Sequence, residues 1–505
     1  MPVRPVAEAV DHALRSLPGG PAAQPVRDGL LQAREALGAP LCVAVVGQLS
    51  SGKSTLVNAL IGKNLLATGT TSVTPAVWVL RPADTPSVTV HFTDGRPPLA
   101  CAPAELRRFT ARGVDGSVKS TAVDHVEIRG PYPYLRTFDV MDTPGIGSGH
   151  DADAARHIRR ADAVIAVLNT AVAQRDAELL IRFRGRQKES VSLTPLTAIG
   201  VLTKVELLWP GEIGAECDDA LALGRDHARR ILADPVTKWL FHDVVPVCSK
   251  VAAGTVALTD AAFADLRALS AVPESRLRVH LDDLRTFATQ PCDGLPLPPA
   301  RRAVLVALLS PYGLFRSARF IREGVGTVEE LRRVLDEAHG MATLRHTLSE
   351  HFGRRSDLIK TSRIVDWAHG CGHRLTGADP RVRTRVTDAL RPITALGEYD
   401  PAFAELRLLR QWYERELDIS DEDGAELARA AGERGTSAAR RLGADDTATL
   451  RCLEEAALDR VAHWRRLQAV GGPDRRHVAL VLERRYTRLH DQVRRARILL
   501  GETDG

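Results

Sequence analysis

Aromatic side chains are scarce, at 5% of the 505 residues. Stacking platforms for single-stranded nucleic acid need such rings, so no nucleic-acid partner is expected. Lysine is scarcer still: of 68 basic residues 8 are Lys and 60 are Arg. That skew points to a GC-rich coding sequence rather than to an activity. Seven cysteines, at 42, 101, 217, 248, 292, 371 and 452, form no C-x-x-C pair. An odd, dispersed set argues against a disulfide framework and for free thiols in a reducing cytoplasm. Cys371 and His373 stand close enough for half of a metal site, but no second Cys/His pair completes it. No apolar run reaches about eighteen residues, so no membrane-spanning helix is expected. The N-terminal stretch MPVRPVAEAVDHALRSL is amphipathic and carries acids, unlike a signal peptide. Internal repeats and low-complexity tails are also missing. The net charge of +5 is mildly basic, compatible with an anionic surface without requiring one.

What is present begins with Gly47 to Thr55, GQLSSGKST. An apolar run, Leu41 to Val46, precedes it, and TLVNALIG follows. Strand, glycine-rich turn and helix are the context in which Gly47, Gly52, Lys53 and Ser54 match the P-loop pattern G-x-x-x-x-G-K-[ST]. Such a turn aims successive backbone N–H groups into one concavity, and the helix start adds its positive dipole end. Gly47, Gln48, Ser50, Ser51, Gly52, Lys53, Ser54 and Thr55 are therefore candidate nucleotide-binding residues. Lys53 would reach the β- and γ-phosphates, and the Ser54 hydroxyl would sit on Mg²⁺.

The length implies two or three domains. Residues 1 to about 38 read as two helical pieces broken by LPGGP, with apolar faces in need of a partner. Candidate strands follow at 41–46, 73–80, 87–92, 123–128, 137–141, 163–168, 197–202 and 244–248. The fifth runs into Asp142-Thr143-Pro144-Gly145, a D-x-x-G motif. In phosphate-hydrolysing switches that aspartate reaches Mg²⁺ through water and the glycine N–H senses the γ-phosphate. The strand at 197–202 leads into Thr203-Lys204-Val205-Glu206. This resembles the guanine-reading [NT]-K-x-D signature, with a carboxylate one methylene longer. Ser249-Lys250 resembles the loop that closes over the base. Motifs in this order at strand ends imply a doubly wound α/β domain with its ligand at the carboxyl ends of the strands.

From about residue 260 the strands stop and the chain reads as helices, split by Gly and Pro, with LPLPP at 295–299 as a stiff connector. Residues 451–500 carry 12 Arg against 6 acids. A solvated helix face is the dominant reading of that surplus, with membrane or nucleic-acid contact the lesser one.

The order and spacing resemble a known family. Gly47 and Asp142 are 95 residues apart, long beside compact Ras-like switches, and the gap holds extra strands and LLATGTTSVTPAV. Dynamin-like GTPases have such an enlarged domain. The stretch GQLSSGKSTLVNALIGKNLLATG is similar to bacterial members. FGRRSDLIKTSRIV, LGEYDPAFAELRLLRQW and GTSAARRLG further resemble the short actinobacterial type, including the isoniazid-inducible proteins of mycobacteria.

The resemblance implies an α/β P-loop GTPase domain with a doubly wound mixed sheet, enlarged in the dynamin manner, plus an all-α helical-bundle neck or stalk. The expected division is a GTPase domain at 39–355 and a neck at 356–505, with the helices of 1–38 packing in that neck. It further implies that Ser50 matches the serine helping to hold a monovalent cation, K⁺ or Na⁺, against the β-phosphate side. Thr74 matches the switch threonine that closes on Mg²⁺ and orients the attacking water. Thr70 and Thr71 are its rivals on sequence alone, and register favours Thr74. Lys204 and Glu206 match the base-reading pair, with Thr203, Ser249 and Lys250 beside them. Ser50, Lys53, Thr74 and Gly145 are the expected catalytic set, and Ser54, Thr74 and, through water, Asp142 the metal set. Two positions depart from relatives: Leu49 stands where eukaryotic dynamins carry glutamine, and Ile146 where Ras-like enzymes carry their catalytic glutamine.

The implied activity is hydrolysis of GTP to GDP and phosphate, stimulated when GTPase domains meet as a homodimer or with a paralogue. It would be coupled to remodelling of a peripheral anionic membrane at the inner face of the cell membrane, from the cytoplasm. The alternative is a soluble regulatory or assembly GTPase whose helical domain binds protein partners. An inactive nucleotide-binding scaffold is disfavoured by the presence of Lys53, Ser54, Thr74 and Asp142.

Overall fold

The computed structural model describes residues 3–63, 65–66, 77–102, 105, 123–136, 138–145, 157–158, 160–170, 194–209, 219–235, 237–374, 379–399, 401–433 and 435–500. Thr74, Thr70, Thr71 and Ile146 lie outside the described residues, as does Cys217. Two compact units divide the chain: Leu41–Arg354, and Met1–Pro40 with Arg355–Gly505.

In Leu41–Arg354 nine described strands form one mixed sheet: β1 (Leu41–Gly47), β2 (Val77–Pro82), β3 (Ser87–Phe92), β4 (Leu99–Ala100), β5 (Val123–Gly130), β6 (Phe138–Asp142), β7 (Ala163–Asn169), β8 (Ala198–Thr203) and β9 (Val244–Pro246). Their spatial order is β4-β3-β5-β2-β6-β1-β7-β8-β9. The reason lies in the side chains. β1, β7 and β8 are nearly continuous apolar runs, and with β6, which carries Asp139 and Asp142, they are buried almost throughout, as strands covered on both faces must be. β3 alternates at its start and β4 is exposed, as befits one edge of the sheet. β1 runs parallel to β6 and β7, β7 to β8, and β8 to β9, so their carboxyl ends share one rim. β2 runs antiparallel to β6, and β3 antiparallel to β5.

The second unit opens the chain and closes it, and is helical among its described residues. α1 (Val3–Ser16) and α2 (Gln24–Gly38) come before the first strand. The described α-helices of the sheet unit are α3 (Lys53–Ile61), α4 (Ala220–Ala233), α5 (Ser249–Val256), α6 (Asp260–Ser270), α7 (Glu274–Asp282), α8 (Leu284–Thr289), α9 (Pro299–Arg322), α10 (Val328–Ala338) and α11 (Met341–Leu348). α9 is long and apolar enough to cross a membrane by composition, and it is the one such helix among the described residues. It is a core helix here. Leu305, Leu309, Tyr312, Phe315 and Ala318 are buried in the main cluster, and the helix bends at Ser310, just before Pro311. A capping box at Thr327 and Glu330 starts α10.

In the second unit, α1 and α2 lay Val6, Val10, Leu30 and Leu37 against α12 (Ser356–Arg374) and α13 (Pro380–Tyr399), where Val365, Cys371, Val386 and Ile393 are buried. Gly29 is needed there, because a Cβ would stand 2.2 Å from the Trp367 ring. α14 (Pro401–Tyr413), α15 (Asp421–Ala430) and α16 (Ala438–Leu442) lead to α17 (Leu450–Leu467) and α18 (Pro473–Leu499).

The arginines of the last two helices are not simply a solvated face. Arg460 reaches Glu426 at 2.6 Å, Arg475 reaches Asp423 at 2.8 Å and Arg497 reaches Glu454 at 2.6 Å. Arg485 lies 3.7 Å from Glu405. Arg484, Arg488, Arg494 and Arg495 are exposed.

Candidate nucleotide site

The loop from Gly47 to Gly52 leaves the carboxyl end of β1, at the rim where a doubly wound sheet binds its ligand. Its glycines are set by contact and conformation. A Cβ on Gly47 would stand 2.6 Å from the Val167 carbonyl oxygen of β7. Gly52 sits at φ +97°, a left-handed cap that lets α3 begin at Lys53. Four described non-glycine residues have positive φ, and two of them, Ser50 and Lys204, lie in this region. Held strain of that kind concentrates at functional sites.

Lys53 is buried and donates to the Gly47 carbonyl at 3.2 Å and the Gln48 carbonyl at 2.8 Å, which places its ammonium across the loop. The Ser54 hydroxyl donates to Asp142 Oδ2 at 3.0 Å, bringing together residues of β6 and α3. Asp142 is buried, and its Oδ1 has no hydrogen-bond partner. Burial pushes its carboxyl up to about 6, against the opposing pull of Lys53 and the Ser54 hydroxyl. A hydroxyl paired with a carboxylate whose second oxygen is unmet suits a hard cation such as Mg²⁺. The following turn folds back on the loop. Thr143 Oγ1 donates to the Val45 carbonyl at 2.8 Å, and a Cβ on Gly145 would stand 2.8 Å from the backbone N of Leu49.

The other expected residues converge from β8 and α5. Thr203 Oγ1 donates to the Ser51 carbonyl at 2.6 Å. A Cβ placed on Gly52 would lie 3.6 Å from that hydroxyl and 3.8 Å from Ser249 Oγ. Glu206 is buried, and its Oε1 accepts from the Lys250 backbone N–H at 3.0 Å while Oε2 has no partner. Burial raises its carboxyl to about 7, and the backbone N–H groups of Glu206 and Lys250 pull the other way. Gln48 Nε2 and Ser51 Oγ are further buried polar atoms without partners. Thr55 follows, half-buried, in the first turn of α3.

The rim thus gathers Gly47 to Thr55, Asp142, Gly145, Thr203, Glu206, Ser249 and Lys250. Sequence reasoning passed over Asn58. Its side chain is buried and accepts from the N–H groups of Leu65 and Leu66 while donating to the Leu66 carbonyl, fixing the turn after α3. An asparagine inside an otherwise apolar helix was the available signal.

Residues 43–205 match the family model described as Dynamin family. Isoniazid-induced protein IniC of Mycobacterium tuberculosis is 31% identical over 448 residues, covering 86% of this chain and 86% of its own. The chain belongs to the dynamin family. It is a dynamin-like GTPase, an enzyme that binds and hydrolyses GTP. A bacterial dynamin-like protein of Nostoc punctiforme is 31% identical over 114 residues, 20% of this chain and 16% of its own. Among solved structures, an oligomerised bacterial dynamin pair aligns with TM-score 0.32 and 13% identity over 94% of this chain and 88% of that one. The combination of a mixed sheet of nine described strands with a helical second unit is that of a dynamin-like GTPase.

Proposed function

We propose that this dynamin-like GTPase uses Mg²⁺ held by Ser54, by Thr74 and, through water, by Asp142, and that its turnover rises when two GTPase domains meet. The unmet Asp142 Oδ1 beside the Ser54 hydroxyl carries this reading. Held by these residues, Mg²⁺ would supply Lewis-acid compensation of the charge that develops on the phosphate oxygens. The loop N–H groups would cradle the phosphates, and Lys53 would turn from the Gly47 and Gln48 carbonyls to phosphate oxygens. Gly145, pressed against the Leu49 backbone, would present its N–H to the γ-phosphate, and Thr74 would orient water. Ser50 would help to hold K⁺ or Na⁺. Glu206 Oε2 would accept from the guanine base, with Lys204 covering the ring and Thr203, Ser249 and Lys250 shaping the pocket.

The partner in the dimer is a second copy or a paralogue. The helical unit acts as the neck or stalk, with residues 1–38 and 356–505 together, and couples the cycle to an anionic membrane at the inner face of the cell membrane. Exposed Arg484, Arg488, Arg494 and Arg495 are its candidate contacts. One observation favours the second reading, a soluble assembly GTPase that binds protein: Arg460, Arg475 and Arg497 are engaged within the bundle, which reduces the charge free for lipid.

The test is GTP turnover per molecule across a range of protein concentrations, with ATP as control, followed by liposome cosedimentation. Specific activity that climbs with concentration, and sedimentation with anionic vesicles, support the proposal. Flat activity would remove the dimerisation step, and a supernatant-only protein would leave the soluble reading. Hydrolysis by a Lys53→Ala variant at the wild-type rate would sink the assigned site.

A further inference from the structure

Arg302, in the first turn of α9, is buried to 1% exposure. Its Nη2 donates to the Gln290 carbonyl at 2.5 Å, at the end of α8, and its guanidinium lies 5.2 Å from the centre of the Phe287 ring. Its other two nitrogens, Nε and Nη1, are buried without any hydrogen-bond partner. A guanidinium carries five N–H donors and stays charged in proteins. Removed from water, it requires counter-charge. The adjacent Arg301 has its carboxylate in Asp265. No described carboxylate forms an ion pair with Arg302.

A second buried atom lies in the same neighbourhood. His280, on α7, has Nε2 buried without a partner. Burial lowers its proton affinity, and the positive charges of Arg276 and Arg302 lower it further. No acid figures among those influences. Arg276 stands on the solvent side, exposed, with Nη2 donating to the Asp293 carbonyl at 2.7 Å. Positive charge and unpartnered nitrogens therefore meet here, and no described carboxylate pairs with Arg302 or His280. Native folds satisfy nearly all such buried donors, and exceptions point to a bound water or ion. Water alone brings no counter-charge.

We propose that Arg302, His280 and Arg276 bind a small inorganic anion of the phosphate, sulfate or chloride class where α7, α8 and the start of α9 meet. Because Arg302 is 1% exposed, its unmet N–H groups can be reached only by an occupant small enough to be enclosed between the helices. The residues belong to other elements than the nucleotide rim, so the proposal does not rest on the assignments made there.

The test uses the full chain saturated with a non-hydrolysable GTP analogue and magnesium, so that the phosphate-binding loop, its γ-phosphate position included, is already filled. Sodium phosphate, sulfate and chloride are titrated at constant ionic strength against gluconate, reading the melting midpoint and the heat of binding. A saturable, one-site rise in the melting midpoint is expected for wild type. Arg302→Met, which keeps length and removes charge, should abolish it. Arg276→Ala, an exposed change that leaves the fold intact, should weaken apparent affinity by about tenfold or more. His280→Phe should weaken it as well. If wild type shows no saturable anion effect, or if Arg276→Ala and His280→Phe both leave it unchanged, the site does not exist and Arg302 serves only to cap α8.

Discussion

Glu206 Oε1 accepts the Lys250 backbone N–H at 3.0 Å, while Oε2, equally buried, has no partner. One oxygen thus ties the turn after β8 to the start of α5, and the other is free for a ligand donor. Guanine offers two adjacent donors at N1 and N2. In a Glu206→Gln variant the side-chain amide would still accept with its carbonyl, but it would turn an NH₂ group towards one of the positions now served by a carboxylate oxygen. Glu206→Gln should therefore weaken GDP binding on the order of 10- to 100-fold, the loss expected for a charged hydrogen bond. It should also favour xanthine nucleotide, which presents an acceptor in place of the N2 donor. Competition binding with GDP, XDP and ADP checks both. Unchanged preference for guanine would remove Glu206 from base recognition.

Gly145 is constrained by contact. A Cβ there would stand 2.8 Å from both N and Cα of Leu49, and backbone cannot yield as a flexible side-chain end can. Gly145→Ala should displace the turn after β6 from the phosphate-binding loop. A shift of this order at reacting groups costs about 10²-fold in rate. GDP affinity should change only a few-fold, because the base and the α- and β-phosphates are held elsewhere. Single-turnover hydrolysis beside GDP binding separates the two effects. Equal losses in both would place Gly145 in general binding.

Most of this architecture was legible in the residues because central strands must be apolar on both faces. Runs such as Leu41 to Val46 and Ala163 to Leu168 have no other place to go. β4 was not legible: two exposed residues, Leu99 and Ala100, carry no period. α4 was missed for another reason. Its buried face is Ala220, Leu221, Gly224 and Ala228, small residues that make a weak apolar signal. Close packing demands them, since a Cβ on Gly224 would stand 2.6 Å from Val205. At the rim, spacing alone pointed to the loop lysine, the Asp142 turn and Glu206. It could not reveal that Glu206 is tied to Lys250, nor that Arg302 is buried, because both depend on contacts between distant segments. The Arg-rich end was read as a solvated face for the same reason, whereas part of it turns inward to Glu426, Asp423 and Glu454.

Glu426 is the clearest of those inward contacts. It is buried and accepts from Arg460 at 2.6 Å and Tyr486 at 2.5 Å, and Arg429 pairs with its other oxygen. Removing one partner of a buried ionic cluster leaves charge without compensation. Glu426→Ala should destabilise the helical unit by about 3–5 kcal/mol. Glu426→Gln should cost less, since the hydrogen bonds partly survive. Denaturant unfolding followed by helical circular dichroism measures this, and GTP hydrolysis at low temperature should stay near wild type. A cost below about 1 kcal/mol for the alanine variant would mean that the arginines rotate to solvent.

Asp142 and Glu206 make a joint prediction with opposite signs for the empty and the filled site. Burial raises the first from 3.8 to about 6 and the second from 4.5 to about 7. Each group binds a proton more tightly folded than unfolded. Its contribution to the stability of the nucleotide-free protein is therefore full below its unfolded value and is lost as pH rises through the folded one. Magnesium and the guanine donors need the ionised forms, so ligand binding must expel these protons at low pH. The stabilisation by GDP and magnesium should widen between about pH 5.5 and pH 8, and flatten above, as the nucleotide-free midpoint falls. Asp142→Asn should reduce that slope. In the same variant the nucleotide-free protein at pH 7.5 should gain stability, on the order of 1–3 kcal/mol, because the buried charge is gone. GDP binding by this variant should lose its dependence on magnesium. Paired melting curves with and without ligand across the pH range are decisive: a nucleotide-free Asp142→Asn protein that melts below wild type at pH 7.5 would mean that the ionised carboxylate is compensated within the fold and is not held in reserve for a cation.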